Sequence, residues 1–170
     1  MVKIEVYFFI KMSCKTVKIS YKVSRDSIIT SIKYNVFHGG YFKYYNLDRL
    51  YIKCDFINNI HHGKYGLYCN DGSIMEKCYF IDGNIEGDYI TYGATDDIKE
   101  KHYYLHGDKN GEYINHMYNR ESMIKCYYVD NIVNGEYIIY DENTKSKHNC
   151  YNIENKSYVI NNSIIWTLKK

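Results

Sequence analysis

An all-β fold, one elongated antiparallel sheet of stacked β-hairpins, follows from three observations on this 170-residue sequence. Glycine recurs every 24 residues, at Gly39, Gly63, Gly87, Gly111 and Gly135. Two places after each comes a tyrosine: Tyr41, Tyr65, Tyr89, Tyr113 and Tyr137. The composition, with 22 tyrosines, a single alanine (Ala94) and no proline, favours strands over helices. Chance would produce both five-fold columns about once in ten billion sequences, so the repeat is real.

Composition also excludes several classes. Lys and Arg total 22 against 20 Asp and Glu, a net charge of +2. That balance gives no support to a nucleic-acid partner. With 45% hydrophobic residues the chain is not disordered by composition. Mean hydropathy is −0.51, and no apolar run approaches the ~18 residues of a membrane span. Ile, Asn, Lys and Tyr all have A+T-rich codons, so their abundance reflects a genome bias before any physical choice.

The elements follow in order. Residues 1–38 are expected to form an N-terminal β cap. Val2, Ile4, Val6, Phe8, Ile10 and Met12 alternate with Lys3, Glu5 and Lys11, a period of two that marks a strand. The apolar core of this stretch is too short for a signal peptide, so cytoplasmic localisation with six reduced cysteines is expected. Ser24 to Phe37 is a candidate decayed repeat. Residues 39–158 hold five units: 39–62, 63–86, 87–110, 111–134 and 135–158. Each opens with a Gly-x-Tyr strand, such as Gly63-Lys64-Tyr65-Gly66-Leu67-Tyr68. A polar turn follows, clearest at Asn70-Asp71-Gly72-Ser73, then a second strand such as Met75 to Ile81. A second turn, Asp82-Gly83-Asn84 or His106-Gly107-Asp108, leads to the next glycine. Residues 159–170, with Trp166, form the opposite cap.

Strands ~4.8 Å apart make each hairpin advance about 9.6 Å. Neighbouring hairpins stabilise one another, since one alone is marginal. The leading glycine marks a backbone with positive φ or a close approach.

The Gly-x-Tyr-x-x-Tyr openings and the entries His38-Gly39, His62-Gly63, Asn110-Gly111 and Asn134-Gly135 resemble MORN (membrane occupation and recognition nexus) repeats in their Tyr-rich variant. The resemblance covers residues 38–158. Common MORN units carry a second glycine and a tryptophan where this chain has other residues. What the resemblance implies is a rod- or groove-shaped sheet that serves as a scaffold and is sometimes dimeric. The A+T bias suits a giant DNA virus, and a viral protein would act in the host cytoplasm or a virus-associated compartment.

Three columns are candidates for chemistry. Cys54, Cys78, His102, Cys126 and Cys150 occupy one position of the five units. At about 9.6 Å spacing, equivalent residues cannot share a zinc ion or a disulfide. A recurrent small core slot explains them, and neither metal nor cofactor is expected. One residue earlier, Lys53, Lys77, Lys101 and Lys125 point to the opposite face, which they share with Tyr79, Tyr103, Tyr127 and Tyr151. Such a row suits an anionic lipid surface or an acidic partner, against the plainer reading of a solvated face. The Tyr41, Tyr65, Tyr89, Tyr113 and Tyr137 ladder is the candidate protein-binding surface, against structural stacking. Phe42, Ile90, Ile114 and Ile138 lie on the other face with Tyr44, Tyr68, Tyr92 and Tyr140. Alternation alone does not say which face is buried.

Walker, dinucleotide, HExxH and Gly-x-Ser-x-Gly motifs are missing from the sequence, and the residues outside the five units are too few for a catalytic domain. The expected function is a non-catalytic protein-interaction scaffold with an unidentified protein partner. The alternatives are peripheral binding to anionic lipid through the lysine row, and a homo-oligomer built through sheet edges.

Overall fold

A computed structural model describes the backbone of residues 4–11, 14–21, 26–45, 48–117, 122–141, 144–153, 156–161 and 164–167, with side chains for 26–45, 48–117 and 122–140. Every regular element among them is a β-strand. No helix among them is long and apolar enough to cross a membrane.

The chain divides into two compact units, Met1–Ile85 and Glu86–Lys170. The first holds β1 (Ile4–Lys11), β2 (Cys14–Tyr21), β3 (Ser27–Lys33), β4 (Val36–Tyr45), β5 (Arg49–Ile57), β6 (Ile60–His61), β7 (Gly63–Tyr68), β8 (Ile74–Ile81) and β9 (Asn84–Ile85). The second holds β10 (Gly87–Tyr92), β11 (Ile98–Leu105), β12 (Asp108–His116), β13 (Met123–Val129), β14 (Ile132–Val133), β15 (Gly135–Asp141), β16 (Thr144–Ile153), β17 (Lys156–Asn161) and β18 (Ile164–Thr167). In each unit the pairing is antiparallel and follows chain order, with β5 pairing both β6 and β7, and β13 pairing both β14 and β15. The all-β hairpin order is therefore the one the repeat predicts.

The hairpins are set by turns of one kind. Tyr34-Asn35, Asn58-Asn59, Asp82-Gly83, His106-Gly107 and Asp130-Asn131 lie 24 residues apart, and both residues of every pair have positive φ. Two such residues define the tight turn whose twist matches the flanking strands. Asn, Asp and Gly predominate because they tolerate this conformation. Tyr34-Asn35 falls one period before Asn58-Asn59, inside the stretch expected to hold a decayed repeat.

After the turns at Tyr34-Asn35, Asn58-Asn59, His106-Gly107 and Asp130-Asn131 the returning strand slips. Phe56 pairs with His61, yet four residues along β5, Ile52 pairs with Leu67 rather than Tyr65. The same two-residue slip follows Tyr128–Val133, where Met123 pairs with Tyr140. The bulge sits at the leading glycines, whose φ runs from +81° at Gly87 to +109° at Gly111. An even slip keeps each residue on its face, so the period of two survives the bulge.

Two faces result. On the thiol face Tyr41 pairs with Cys54, Tyr65 with Cys78, Tyr89 with His102 and Tyr113 with Cys126. On the lysine face Phe42 pairs with Lys53, Gly66 with Lys77, Ile90 with Lys101 and Ile114 with Lys125. Among the described residues no helix covers either face. Burial comes instead from rings on neighbouring strands. In the first unit Phe37, Tyr41 and Phe56 pack together, and His61 lies between Phe56 (4.3 Å) and Phe80 (5.1 Å). In the second, His102 packs 4.4 Å from Tyr113 and is flanked by Tyr89, Tyr104 and Tyr128. Under these rings Cys54 (2% exposed), Cys78 (8%), Cys126 (4%) and His102 (5%) form the deepest layer of the thiol face.

The fifth hairpin departs from the period. Gly39, Gly63, Gly87 and Gly111 face the residue 17 places on, namely Phe56, Phe80, Tyr104 and Tyr128. Gly135 faces Cys150, only 15 places on, and Tyr137 faces His148. Cys150 therefore stands outside the register of the cysteine column, a correction to the sequence expectation. The cause is a shorter hairpin: β15 and β16 stay paired up to Asp141–Thr144, which removes the longer loop of the other units. The side chains of Cys14, Cys150, Tyr151 and Trp166 lie outside the described residues.

Candidate interaction surface

The lysine face carries the most exposed apolar residues on strands. Strands β8, β11 and β13 each present a Lys-x-Tyr-x-aliphatic row on it: Lys77-Tyr79-Ile81, Lys101-Tyr103-Leu105 and Lys125-Tyr127-Val129. Tyr79 is 41% exposed, Tyr103 42% and Tyr127 50%, and the three aliphatic residues are exposed as well. In β5 the row reads Lys53-Asp55-Ile57, with Ile57 exposed and paired with exposed Ile60. Each unit thus displays its own strip of tyrosine and aliphatic side chains beside lysines. Strand alternation puts them on one face, and the absence of a ring across from them leaves them open.

The expected tyrosine ladder has a different environment. Tyr41, Tyr65, Tyr89, Tyr113 and Tyr137 are half-buried. Tyr65 stacks edge-on against Phe80, and Tyr113 against Tyr128. Burial pushes the Tyr65 and Tyr128 phenols up to about 12 and holds Tyr113 well above the ordinary tyrosine range. Most of their ring area is spent on packing within the sheet. The accessible tyrosines are those of the lysine face, beside the lysines, rather than the Tyr41 ladder that the sequence points to.

The lysine row is not uniform. Lys101 Nζ lies 2.9 Å from Asp88 Oδ2, and Lys125 pairs with Glu112. Both acids sit diagonally across the ladder, two places from the residue directly opposite the lysine. In the first unit the matching positions are Gly40 and Lys64. There Lys53 extends over the Phe42 ring, 5.8 Å from its centre. Lys53 and Lys77 are exposed, whereas Lys101 and Lys125 are half-buried. The signal was present in the sequence: Gly40, Lys64, Asp88, Glu112 and Glu136 form a 24-residue column that turns acidic in the second unit.

The cysteine column behaves as a core slot. Burial raises the Cys54 and Cys78 thiols to about 12, which keeps both protonated. Cys54, Cys69 and Cys78 carry free thiols. Among the described residues no group of three or more His, Cys, Asp or Glu side chains converges as a metal site would require.

A third feature runs along the turns. The residue before Gly39, Gly63, Gly87 and Gly111 reaches the first residue of the turn 20 places on. His38 Nδ1 lies 3.4 Å from Asn58 Oδ1, and His62 Nδ1 lies 3.3 Å from Asp82 Oδ1. Glu86 Oε2 accepts from the His106 backbone N–H at 2.7 Å, and Asn110 Nδ2 donates to Asp130 Oδ1 at 3.2 Å. These contacts clamp the four turns to the hairpins before them, and they account for the polar residues ahead of Gly39, Gly63, Gly87 and Gly111.

No family model matches the chain, and no curated protein matches it at a significant level. The class is defined by architecture: an all-β protein of antiparallel hairpins in a 24-residue repeat.

Proposed function

We propose that this chain is a non-catalytic protein-interaction scaffold of the MORN-repeat kind, working through its lysine face. The observation that carries this reading is the exposed strip in each unit: Tyr79 with Ile81 in the first, and Tyr103 with Leu105 and Tyr127 with Val129 in the second. Exposed tyrosines flanked by aliphatic side chains offer a partner large contact area at small entropic cost. Within each unit the paired strands hold these side chains in place, and the neighbouring lysines tune which partner is accepted. The Tyr41 ladder supports the frame on which this surface is carried.

Binding to anionic lipid draws less support: in the second unit Asp88 and Glu112 offset Lys101 and Lys125, and in the first Asp55 shares the lysine face with Lys53. A membrane-bound face needs an unneutralised row, because each lysine contributes only about 1 kcal/mol near an anionic surface.

The test is affinity purification of the tagged chain from its native cell in moderate salt, beside a Tyr79→Thr/Tyr103→Thr/Tyr127→Thr variant. Threonine keeps strand propensity while removing the rings. A stoichiometric protein partner that is held by the unaltered chain and lost by the triple variant supports the reading. Equal recovery with both, or binding only to anionic vesicles at low salt, overturns it.

A further inference from the structure

One end of the β4–β5 hairpin carries a stacked pair of phenols. The two strands pair from Gly39–Phe56 to Lys43–Ile52, after which Tyr44 faces Leu50. Tyr51 is therefore the extra residue of a bulge, and a bulge re-aims the side chain it inserts. Here the Tyr51 ring comes onto Tyr45, with ring centres 4.2 Å apart and planes inclined by 31°. The Tyr51 hydroxyl lies within hydrogen-bonding reach of the Tyr45 hydroxyl and raises its pKa. Lys43 Nζ stands over the Tyr51 ring, 5.2 Å from its centre. Both tyrosines are half-buried, so solvent reaches them.

Contact through both ring and hydroxyl sets this pair apart. Tyr113 and Tyr128 meet edge-on at 5.8 Å, and Tyr89 and Tyr104 at 6.1 Å. Rings that lie alongside with their hydroxyl ends together bring the ortho carbons (Cε) of one phenol against those of the other. An edge-on pair does not. The repeat does not call for this stack either. In later units the Tyr45 column holds Cys69, Gly93, Met117 and Asp141, and the Tyr51 column holds Met75, Lys99, Met123 and Lys147.

We propose that Tyr45 and Tyr51 form a site of oxidative modification, joined as dityrosine by hydrogen peroxide acting through a haem peroxidase. Each phenol gives one electron to the oxidant and its hydroxyl proton to water. The two phenoxyl radicals combine in a Cε–Cε bond. The proton on each coupled carbon then passes to the adjacent oxygen, which restores both aromatic rings. The pair loses two hydrogen atoms in all, and one peroxide is reduced to two waters. Contact before reaction makes the coupling intramolecular and favours it over encounters between chains. The product is a covalent tie between β4 and β5 beside the bulge. It is independent of what the lysine face binds.

The test treats the dilute full chain with hydrogen peroxide and a haem peroxidase. Dityrosine fluorescence is expected on a species that runs as a single chain under denaturing conditions. Trypsin cuts after Lys43, Arg49 and Lys53, so residues 44–49 and 50–53 separate in the untreated chain. After oxidation they are expected to stay joined, two hydrogens lighter than their sum. Tyr45→Phe and Tyr51→Phe keep the stacked rings and remove a phenol, and each is expected to abolish the joined peptide. Tyr44→Phe, in the same tryptic peptide, and Tyr34→Phe, at a tyrosine 88% exposed, are expected to leave it intact. Fluorescence confined to chain-to-chain products, a joined peptide that survives Tyr45→Phe, or complete separation of 44–49 from 50–53 after oxidation would each overturn the proposal.

Discussion

Glu100 Oε1 lies 2.8 Å from His102 Nε2, while the other ring nitrogen, Nδ1, is buried with no hydrogen-bond partner among the described residues. This histidine stands in the slot that Cys54, Cys78 and Cys126 fill elsewhere. Burial lowers its pKa, and the Glu100 carboxylate opposes that shift only in part. The first unit has a counterpart in His61, also lowered by burial.

Both histidines therefore bind a proton more readily when unfolded. The stability they confer is present above the ordinary histidine pKa of ~6.5 and is lost as pH falls through it. The urea midpoint is expected to drop between about pH 7.5 and about pH 5. His102→Cys, which installs the thiol of the other repeats, should remove part of that drop, and His102→Cys/His61→Phe more of it. An unchanged pH dependence in both variants would show that carboxylates elsewhere govern it.

Tyrosine ionisation gives the opposite sign at high pH. Unfolded phenols ionise near 10, whereas Tyr65 and Tyr128 hold their protons to about 12. Their contribution is full below about pH 10 and disappears as pH rises toward the folded value. Tyrosinate absorbance should therefore include a late cooperative step on unfolding, above the ordinary tyrosine range, to which Tyr65 and Tyr128 contribute. One smooth phase would mean that the thiol-face rings are open to solvent.

Thiol accessibility should follow burial. Brief alkylation of the native protein, mapped by mass spectrometry, is expected to modify half-exposed Cys69 well before Cys54, Cys78 or Cys126. Cys78→Ser exchanges a buried thiol for a hydroxyl and should cost about 1–3 kcal/mol. Cys69→Ser should cost well under that.

The turn asparagines do two jobs. Asn59 has φ +67°, its Oδ1 accepts from the Phe37 N–H at 2.7 Å, and its own N–H donates to the Phe37 carbonyl at 3.0 Å. Asn131 repeats the pattern on Lys109, at 2.8 and 2.9 Å. Asn59→Gly keeps the conformation and loses one hydrogen bond, an expected cost of about 1 kcal/mol. Asn59→Ala also strains the backbone and should cost about 2 kcal/mol or more. Equal losses in denaturant titrations would remove the conformational part of this account.

Leading glycines should differ in their tolerance of alanine. A Cβ at Gly111 would meet Tyr103 Cβ at 3.1 Å, whereas one at Gly87 meets nothing within 4 Å. Both positions have positive φ, so both substitutions cost about 1–3 kcal/mol of backbone strain. Gly111→Ala should be the worse of the two, read as the shift in thermal midpoint.

Much of the fold was legible in the sequence because it is written in short-range terms. The period of two along each strand, the turn pairs at Asp82-Gly83 and His106-Gly107, and the 24-residue glycine column are local conditions on backbone conformation. They determine antiparallel hairpins in chain order whatever lies above or below the sheet. The surface was less legible, because alternation sorts residues onto two faces without saying which is covered. That choice depends on rings that meet only across strands: Phe80 on Tyr65, and Tyr128 on Tyr113, leaving Tyr79, Tyr103 and Tyr127 open. The same holds for charge. Lys101 and Lys125 look like members of one uniform row until the ladder brings Asp88 and Glu112 diagonally against them. The sequence by itself determined the repeat, the hairpins and the sorting of residues onto faces. The tertiary structure alone decided which tyrosines are accessible, which lysines are neutralised and that the fifth hairpin slides by two residues, since each depends on pairing between strands rather than on neighbours along the chain.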